Sequence, residues 1–445
     1  MRSTAPTQPA TPDQPVPDGT PRADGSDGAD DRSLGAVPRR RRALRGAAAL
    51  LAAGALVGGT LVAPAVAADA PPATAEAPEP TDPARGAHGR DAVRRAVDAL
   101  VREDGFPAAL ATVRDERGRT RHLVAGVGEL STGARVPTDG QVRFASNTKT
   151  FVAVAVLQLV GEGRVDLDAP VATYLPGLLD NGREGAERVD GTAITVRQLL
   201  QHTSGVPEYL DVLLADGLSS VDAMVDTYVQ PRALLDAAMT RPATFAPGAG
   251  WSYSNTNYVV AGLLVEKVTG RPLHEELTHR VIEKAGLRDT YVPAVGEREI
   301  RGRHPHGYHA DTPGGPLRDV TVLDPAAAWG AGDVVGTPSD LVRLYTAILD
   351  GRLVGAAELA EMQKTVPVPA DWGPVRYGLG ITETALSCGG VAWGHGGDIF
   401  GYSTREGVTT DGRAAAVAVT ALPSSVPDPD ALQHVDAVID TALCS

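Results

Sequence analysis

The chain has 445 residues, 41 basic against 55 acidic side chains and a formal net charge of −14. With no basic stripe, nucleic acid and anionic membrane surfaces are poor partners. About 360 residues, from 86 to 445, remain after a leader and linker, enough for one large domain or two intimately joined lobes.

Residues 1–37 are rich in Pro, Asp, Gly and Thr without apolar periodicity, which reads as disorder. Arg39 to Arg42 and Arg45 then precede an apolar run from Gly46 to Val66, closed by Ala65-Val66-Ala67-Ala68. A basic region, an apolar stretch and an Ala-x-Ala site make residues 1–68 a leader ending in a secretory signal, so a secreted protein is expected. A retained N-terminal anchor is the alternative, since the run is long enough to span a bilayer. The twin arginines permit either a Sec or a Tat route. Residues 69–85, with Pro71, Pro72, Pro78, Pro80 and Pro83, read as a linker.

Val93, Ala96, Val97, Leu100 and Val101 mark one face of a first helix. Ala108–Arg114 and His122–Val127 read as strands joined by a turn at Asp115-Glu116-Arg117-Gly118. A helix carrying Ser146 follows and ends at Gly161 or Gly163. From about 166 to 313 the pattern is helices and loops, with helices expected at Thr195–Gln201, Val221–Thr227, Pro231–Thr240, Tyr258–Val268 and Leu273–Ala285. Thr337-Pro338 opens another helix through Leu349. Short strands return at Arg376–Thr382, Val391–Trp393, Tyr402–Val408 and Ala414–Ala421, before a last helix from about Asp430 to Ala442. Strands at both ends with helices between them imply α/β plus all-α architecture: an antiparallel sheet flanked by helices, with an inserted helical lobe.

Ser146-Asn147-Thr148-Lys149 carries the first chemical signal. Residues i and i+3 share a helical face, so the Lys149 amine sits beside the Ser146 hydroxyl at a helix start, where the dipole favours developing negative charge. A base beside a serine and a positive end beneath it make a poor nucleophile a good one. With 16 serines and 4 lysines, chance supplies roughly 0.14 such tetrads, so the motif alone is suggestive. Tyr253-Ser254-Asn255 stands before an apolar helix, and a Tyr-x-Asn is expected by chance only about 0.09 times. His395-Gly396-Gly397 lies between two strands; His-x-Gly alone is expected roughly once and carries weight only in order with the others.

The order Ser-x-x-Lys, Tyr-x-Asn, His-x-Gly resembles the family of serine D-alanyl-D-alanine carboxypeptidases, class C β-lactamases and related esterases and D-peptidases. The likeness runs from about Gly105 to Cys444 and is greatest to the soluble secreted actinomycete DD-carboxypeptidases/transpeptidases. It includes Gln201-His202-Thr203-Ser204-Gly205, Tyr377-Gly378-Leu379-Gly380 and Leu386-Ser387-Cys388-Gly389. The resemblance implies a β-lactamase/transpeptidase-like fold with the site between lobes. It implies Ser146 as nucleophile, Lys149 and Tyr253 as the proton-handling pair, and Asn255 as the group orienting Lys149 and binding the substrate amide. His395 would polarise Tyr253, and the N–H groups of Ser146 and Asp398 would form the oxyanion hole. Trp329 is expected to wall the cleft. The two cysteines, Cys388 and Cys444, read as a disulfide in an exported protein, as in the resembled enzyme, with two free buried thiols the alternative. No cofactor or metal is implied. A small peptide or acyl substrate, peptidoglycan among the sources, is the expected partner, and a monomer the expected state. No C-terminal anchor is expected after Ser445.

Three features are set aside. His304, His306 and His309 lie in a Pro/Gly-bearing stretch read as a surface loop, without ligand-spaced Cys or acidic partners. Ser204 lies at a helix end and turn. No Gly-x-Ser-x-Gly elbow exists, which argues against an α/β-hydrolase.

The chain also departs from the resembled carboxypeptidase. Thr382 stands at the position of an arginine that binds the substrate's terminal carboxylate, and Gly396 and Asp398 replace two hydroxyl residues. Arg405 either compensates or pairs with Asp398. The expectation is a secreted serine acyl-enzyme hydrolase of D-alanyl-D-alanine carboxypeptidase type. The alternatives are a D-amino-acid peptidase, amidase or esterase whose substrate lacks the carboxylate, and a catalytically silent cell-wall peptide sensor.

Overall fold

The computed structural model describes residues 83–215 and 227–445, all within one compact unit. The leader, the signal, all but the end of the linker, and nearly all of the helix expected at 221–227 lie outside the described residues. Helix α1 (Pro83–Arg102) begins inside the expected linker, with Pro83 in the first turn, where its missing N–H costs nothing.

Nine strands among the described residues form one antiparallel sheet: β1 (Ala108–Arg114), β2 (Thr120–Gly126), β3 (Val366–Pro367), β4 (Val375–Tyr377), β5 (Thr382–Ala385), β6 (Val391–Gly394), β7 (Gly396–Ile399), β8 (Tyr402–Val408) and β9 (Ala414–Val419). The order is β2-β1-β9-β8-β6-β5-β4-β3, with β7 also pairing β8. The N-terminal hairpin thus docks on strands from the far end of the chain, with Leu110 opposite Ala418. The single strand expected at 376–382 is two, because Gly378, Leu379 and Gly380 break the ladder; Gly380 takes φ +70°.

Strand alternation builds two cores. Ala415, Val417 and Val419 of β9 join Val93, Val97 and Leu100 of α1 and Val435 and Leu443 of the last helix, α5 (Ala431–Cys444). Ala414, Ala416 and Ala418 face the opposite layer, with α2 (Thr148–Gly161), α3 (Asn255–Thr269) and α4 (Pro338–Leu349). Helix α2 is buried on almost every side, as its uniformly apolar sequence requires, and packs against α3. Thr337 caps α4 through its hydroxyl and Thr195 forms a capping box with Gln198 at the helix Val196–Leu200. Residues 273–285 are helical as expected, but with a π-helical turn at Thr278–Ile282. No helix among the described residues is long and apolar enough to cross a membrane.

Cys388 and Cys444 are bridged, with Cα atoms 5.6 Å apart. The bond ties the end of α5 to the turn between β5 and β6, and the loop it closes constrains the unfolded chain by about 4 kcal/mol. His304 and His306 stay on the surface side. His309 instead is buried in a two-residue strand, Tyr308–His309, paired with Arg318–Asp319. Ser204 is buried and donates to Asn257 Oδ1 at 2.6 Å, so it is structural.

Candidate active site

Ser146 sits in a short 3₁₀ turn, Ala145–Asn147, that leads directly into α2. Ala145 has φ +50°, a left-handed conformation that an alanine holds only when its surroundings impose it. Those surroundings are β7 and β8. The Asn147 Nδ2 donates to Thr404 Oγ1 of β8 at 3.0 Å, and its Oδ1 accepts from the Tyr345 hydroxyl of α4 at 2.6 Å. Gly397 lies so close that a Cβ there would stand 2.2 Å from the Phe144 carbonyl oxygen. A side chain at 397 would push the strand and the serine turn apart. The expected oxyanion donors, the N–H groups of Ser146 and Asp398, belong to these two adjoining segments.

Lys149 is fully buried. Its Nζ donates to Ser146 Oγ at 2.9 Å, to Asn255 Oδ1 at 2.7 Å and to the Ala331 carbonyl at 2.7 Å. As a neutral amine it keeps two N–H bonds and one lone pair. Asn255 and Ala331 present only acceptor atoms, so the lone pair must face the Ser146 hydroxyl. Burial pulls the ammonium down to about 7, opposed by the charges of Glu208 and Asp333. Tyr253 moves the other way: burial pushes its phenol well above the ordinary value, although contact with the Ser146 hydroxyl lowers it. Within the pair, the lysine is therefore the group that ionises near neutral pH, and Tyr253 stays a neutral hydroxyl. The Lys149 Nζ also lies 4.9 Å from the Tyr253 ring centroid.

His395 does not do what the sequence suggested. Its ring centroid is 6.4 Å from that of Tyr253, and its Nε2 is 2.8 Å from the Tyr377 hydroxyl. The Nδ1–H donates to the Gly396 carbonyl at 2.6 Å, which leaves Nε2 as acceptor. Burial holds the imidazole neutral, down to about 3. Tyr377 in turn meets His202 Nε2 at 3.2 Å, and His202 stacks on Tyr253 with ring centroids 4.3 Å apart. His395 and Tyr253 are thus linked through Tyr377 and His202, whose part in the site no sequence motif marks. The reason is chain topology: His395 follows β6, and Tyr377 ends β4, two strands away in the sheet, with its ring centroid 5.6 Å from that of His395 and 6.4 Å from that of Tyr253.

Trp329 is also corrected. It packs over Gly262, where an added Cβ would lie 2.8 Å from the indole, and it does not line the cleft. Trp372 does, 5.2 Å from the Tyr253 ring and 4.9 Å from Trp251. The cleft measures about 1060 Å³, and Ser146, Tyr253, Asn255, Thr382, Gly396 and Asp398 open onto it.

On the far side of β7, Arg405 settles the alternative left open by the sequence. Its Nη2 donates to Asp398 Oδ2 at 3.0 Å, and its Nε to Asp436 Oδ1 of α5 at 3.1 Å. The guanidinium passes over Gly396, with Arg405 side-chain atoms 3.3 Å from where a Cβ would be. Burial would weaken its charge, but the two carboxylates outweigh this and raise it. Thr382 turns back and donates to the Gly394 carbonyl at 2.9 Å. Among the described residues lining the cleft, Arg405 is the one cation, and two acids already hold it.

A sequence profile of the Beta-lactamase family matches residues 93–440. The chain belongs to that family. It is similar to Esterase EstB of Burkholderia gladioli, 32% identical over 56% of this chain and 68% of that protein. It is similar to Penicillin-binding protein 4 of Amycolatopsis lactamdurans, 30% identical over 71% of this chain and 77% of that protein. Among solved structures, a D-stereospecific amidohydrolase from a Streptomyces species superposes with a TM-score of 0.70 and 37% identity, over 78% of this chain and 98% of that one. The chain is a serine hydrolase of the β-lactamase fold, so the silent-sensor alternative is set aside.

Proposed function

We propose that this serine hydrolase is exported and opens the amide or ester bond of D-amino-acid derivatives whose leaving group carries no carboxylate. Ser146 Oγ bonds to the carbonyl carbon while its proton passes to Lys149 Nζ. The oxyanion is received by the N–H groups of Ser146 and Asp398. Collapse breaks the bond to the amine or alcohol, which takes a proton through Tyr253, and water then releases the acid from Ser146 by the same steps.

The observation that carries the leaving-group assignment is the Arg405 node. A terminal carboxylate at the Thr382–Gly396–Asp398 edge would meet a cation already shared between Asp398 and Asp436, leaving a net negative charge beside it. Like charges at such range cost on the order of 1–4 kcal/mol. The likeness to a D-stereospecific amidohydrolase supports the same reading. The D-alanyl-D-alanine carboxypeptidase reading keeps the support of the penicillin-binding relative, but it needs the carboxylate that this edge opposes. Export rests on the leader sequence and on the Cys388–Cys444 bridge, which suits an oxidising compartment.

A matched panel tests this: D-alanyl amide, D-alanyl methyl ester and D-alanyl-D-alanine peptides. The amide and ester should be cleaved faster than the peptide by roughly tenfold to a thousandfold in kcat/KM. Equal or faster release of D-alanine from the peptide restores the carboxypeptidase reading.

A further inference from the structure

Glu208 lies in the segment after the helix Val196–Leu200, and nothing in the sequence singles it out. The segment is tied to the one bearing Tyr253 and Asn255: Thr256 Oγ1 donates to the Pro207 carbonyl at 2.7 Å, and the Tyr209 N–H donates to Thr256 Oγ1 at 3.1 Å. Within this seam, Glu208 Oε1 accepts from the Leu210 N–H at 2.9 Å, and Oε2 accepts from the Asn255 N–H. The latter is a first-turn donor of α3, with no partner inside its own helix. A carboxylate therefore fixes the start of the helix whose first residue, Asn255, turns its carboxamide oxygen to Lys149 Nζ at 2.7 Å.

We propose that Glu208 is a positioning residue of this site: it holds Asn255 against Lys149, and its charge sets how readily the lysine gives up its proton to act as base. The inference rests on the reading of Lys149 as base. Lys149 is faced by Ser146 on its own side, Asn255 and the rings of Tyr253 and Tyr258 from the 253–258 segment, and the Ala331 carbonyl. The titratable groups around it are Glu208, Asp333, His202 and His395. Burial and the lysine charge hold both imidazoles down, so they add no cation, and the two carboxylates alone favour the ammonium. Burial raises both carboxylates, Asp333 to about 7, and backbone donors oppose the rise at each; Glu208 is the one of the two that also holds the Asn255 N–H.

The sign follows. Removing an anion from beside an ammonium makes its proton easier to lose, so Glu208→Gln should carry the acid limb of kcat/KM to lower pH, by about half a unit to one unit. Loss of Asn255 alignment should lower the plateau by about tenfold. Glu208→Asp keeps the charge and shortens the reach: its plateau should fall while the limb stays. With only 4 lysines in the chain, ¹³Cε labelling reads the Lys149 titration directly in the same variants. A Glu208→Gln limb and lysine titration that coincide with wild type would reduce Glu208 to a helix cap, as would a Glu208→Asp shift equal to that of the glutamine. Should the glutamine variant fail to fold, the aspartate variant still decides, because a moved titration there contradicts the charge argument. If Lys149→Ala retains full activity, the base assignment itself fails, which is a separate outcome.

Discussion

Two cations, Lys149 on α2 and Arg405 on β8, lie near the cleft, and only one of them is free to lose its proton. Lys149 is surrounded by uncharged acceptors, Ser146 Oγ, Asn255 Oδ1 and the Ala331 carbonyl, while Glu208 and Asp333 influence it without an ion pair. Burial then prevails and brings the amine to about 7. Arg405 is also largely buried, yet two carboxylates meet it directly and a guanidinium does not titrate in water. Withholding a paired anion turns a buried cation into a base. Supplying two turns it into a fixed part of the cleft edge, unavailable to a substrate carboxylate.

That contrast can be broken or sharpened by substitution, by reduction of the disulfide and by salt. Ser146→Ala should abolish the adduct that a small activated ester leaves on the protein, read by intact mass. Reducing the Cys388–Cys444 bridge, or Cys388→Ser, should cost about 4 kcal/mol of stability in denaturant titration and free the C-terminal end of α5, the helix that also carries Asp436. Lys149→Ala and Tyr253→Phe should each lower the acylation rate by on the order of 10² or more, whereas Arg405→Gln should act on stability and leaving-group choice first. Asp398→Thr with Thr382→Arg should narrow the preference for uncharged leaving groups by roughly tenfold to a thousandfold in kcat/KM. Raising the salt concentration should shrink the same preference only severalfold, because Asp398 and Asp436 are about half exposed and therefore partly screened already.

Much of the fold was legible because periodicity and punctuation are local signals. The α1 face, the β1 strand, the proline-opened α4 and the termination of α2 near Gly161 all follow from neighbours in sequence. The contact between Ser146 and Lys149 was legible for the same reason, the two being one helical turn apart. What sequence could not supply is the identity of long-range neighbours. Trp329 and Trp372 are equally apolar in the chain, but only the second reaches the cleft, because Gly262 opens a slot for the first on the core side. Tyr377 and His202 meet through a sheet strand and a helix end 175 residues apart. Glu208 becomes visible only when its segment lies against the start of α3. The Arg405 alternative depended on a strand register, Gly396 opposite Arg405, that a sequence leaves open.

The most direct test is the rate of Ser146 acylation by one neutral activated ester, followed by intact mass from about pH 5 to pH 9 in wild type and Arg405→Gln. The account predicts a single adduct on Ser146 whose formation rises about tenfold per pH unit below the Lys149 transition and levels off above about 7, with the limb essentially in place when Arg405 is changed. An adduct that persists in Ser146→Ala, or a rate indifferent to pH across that range, would contradict it.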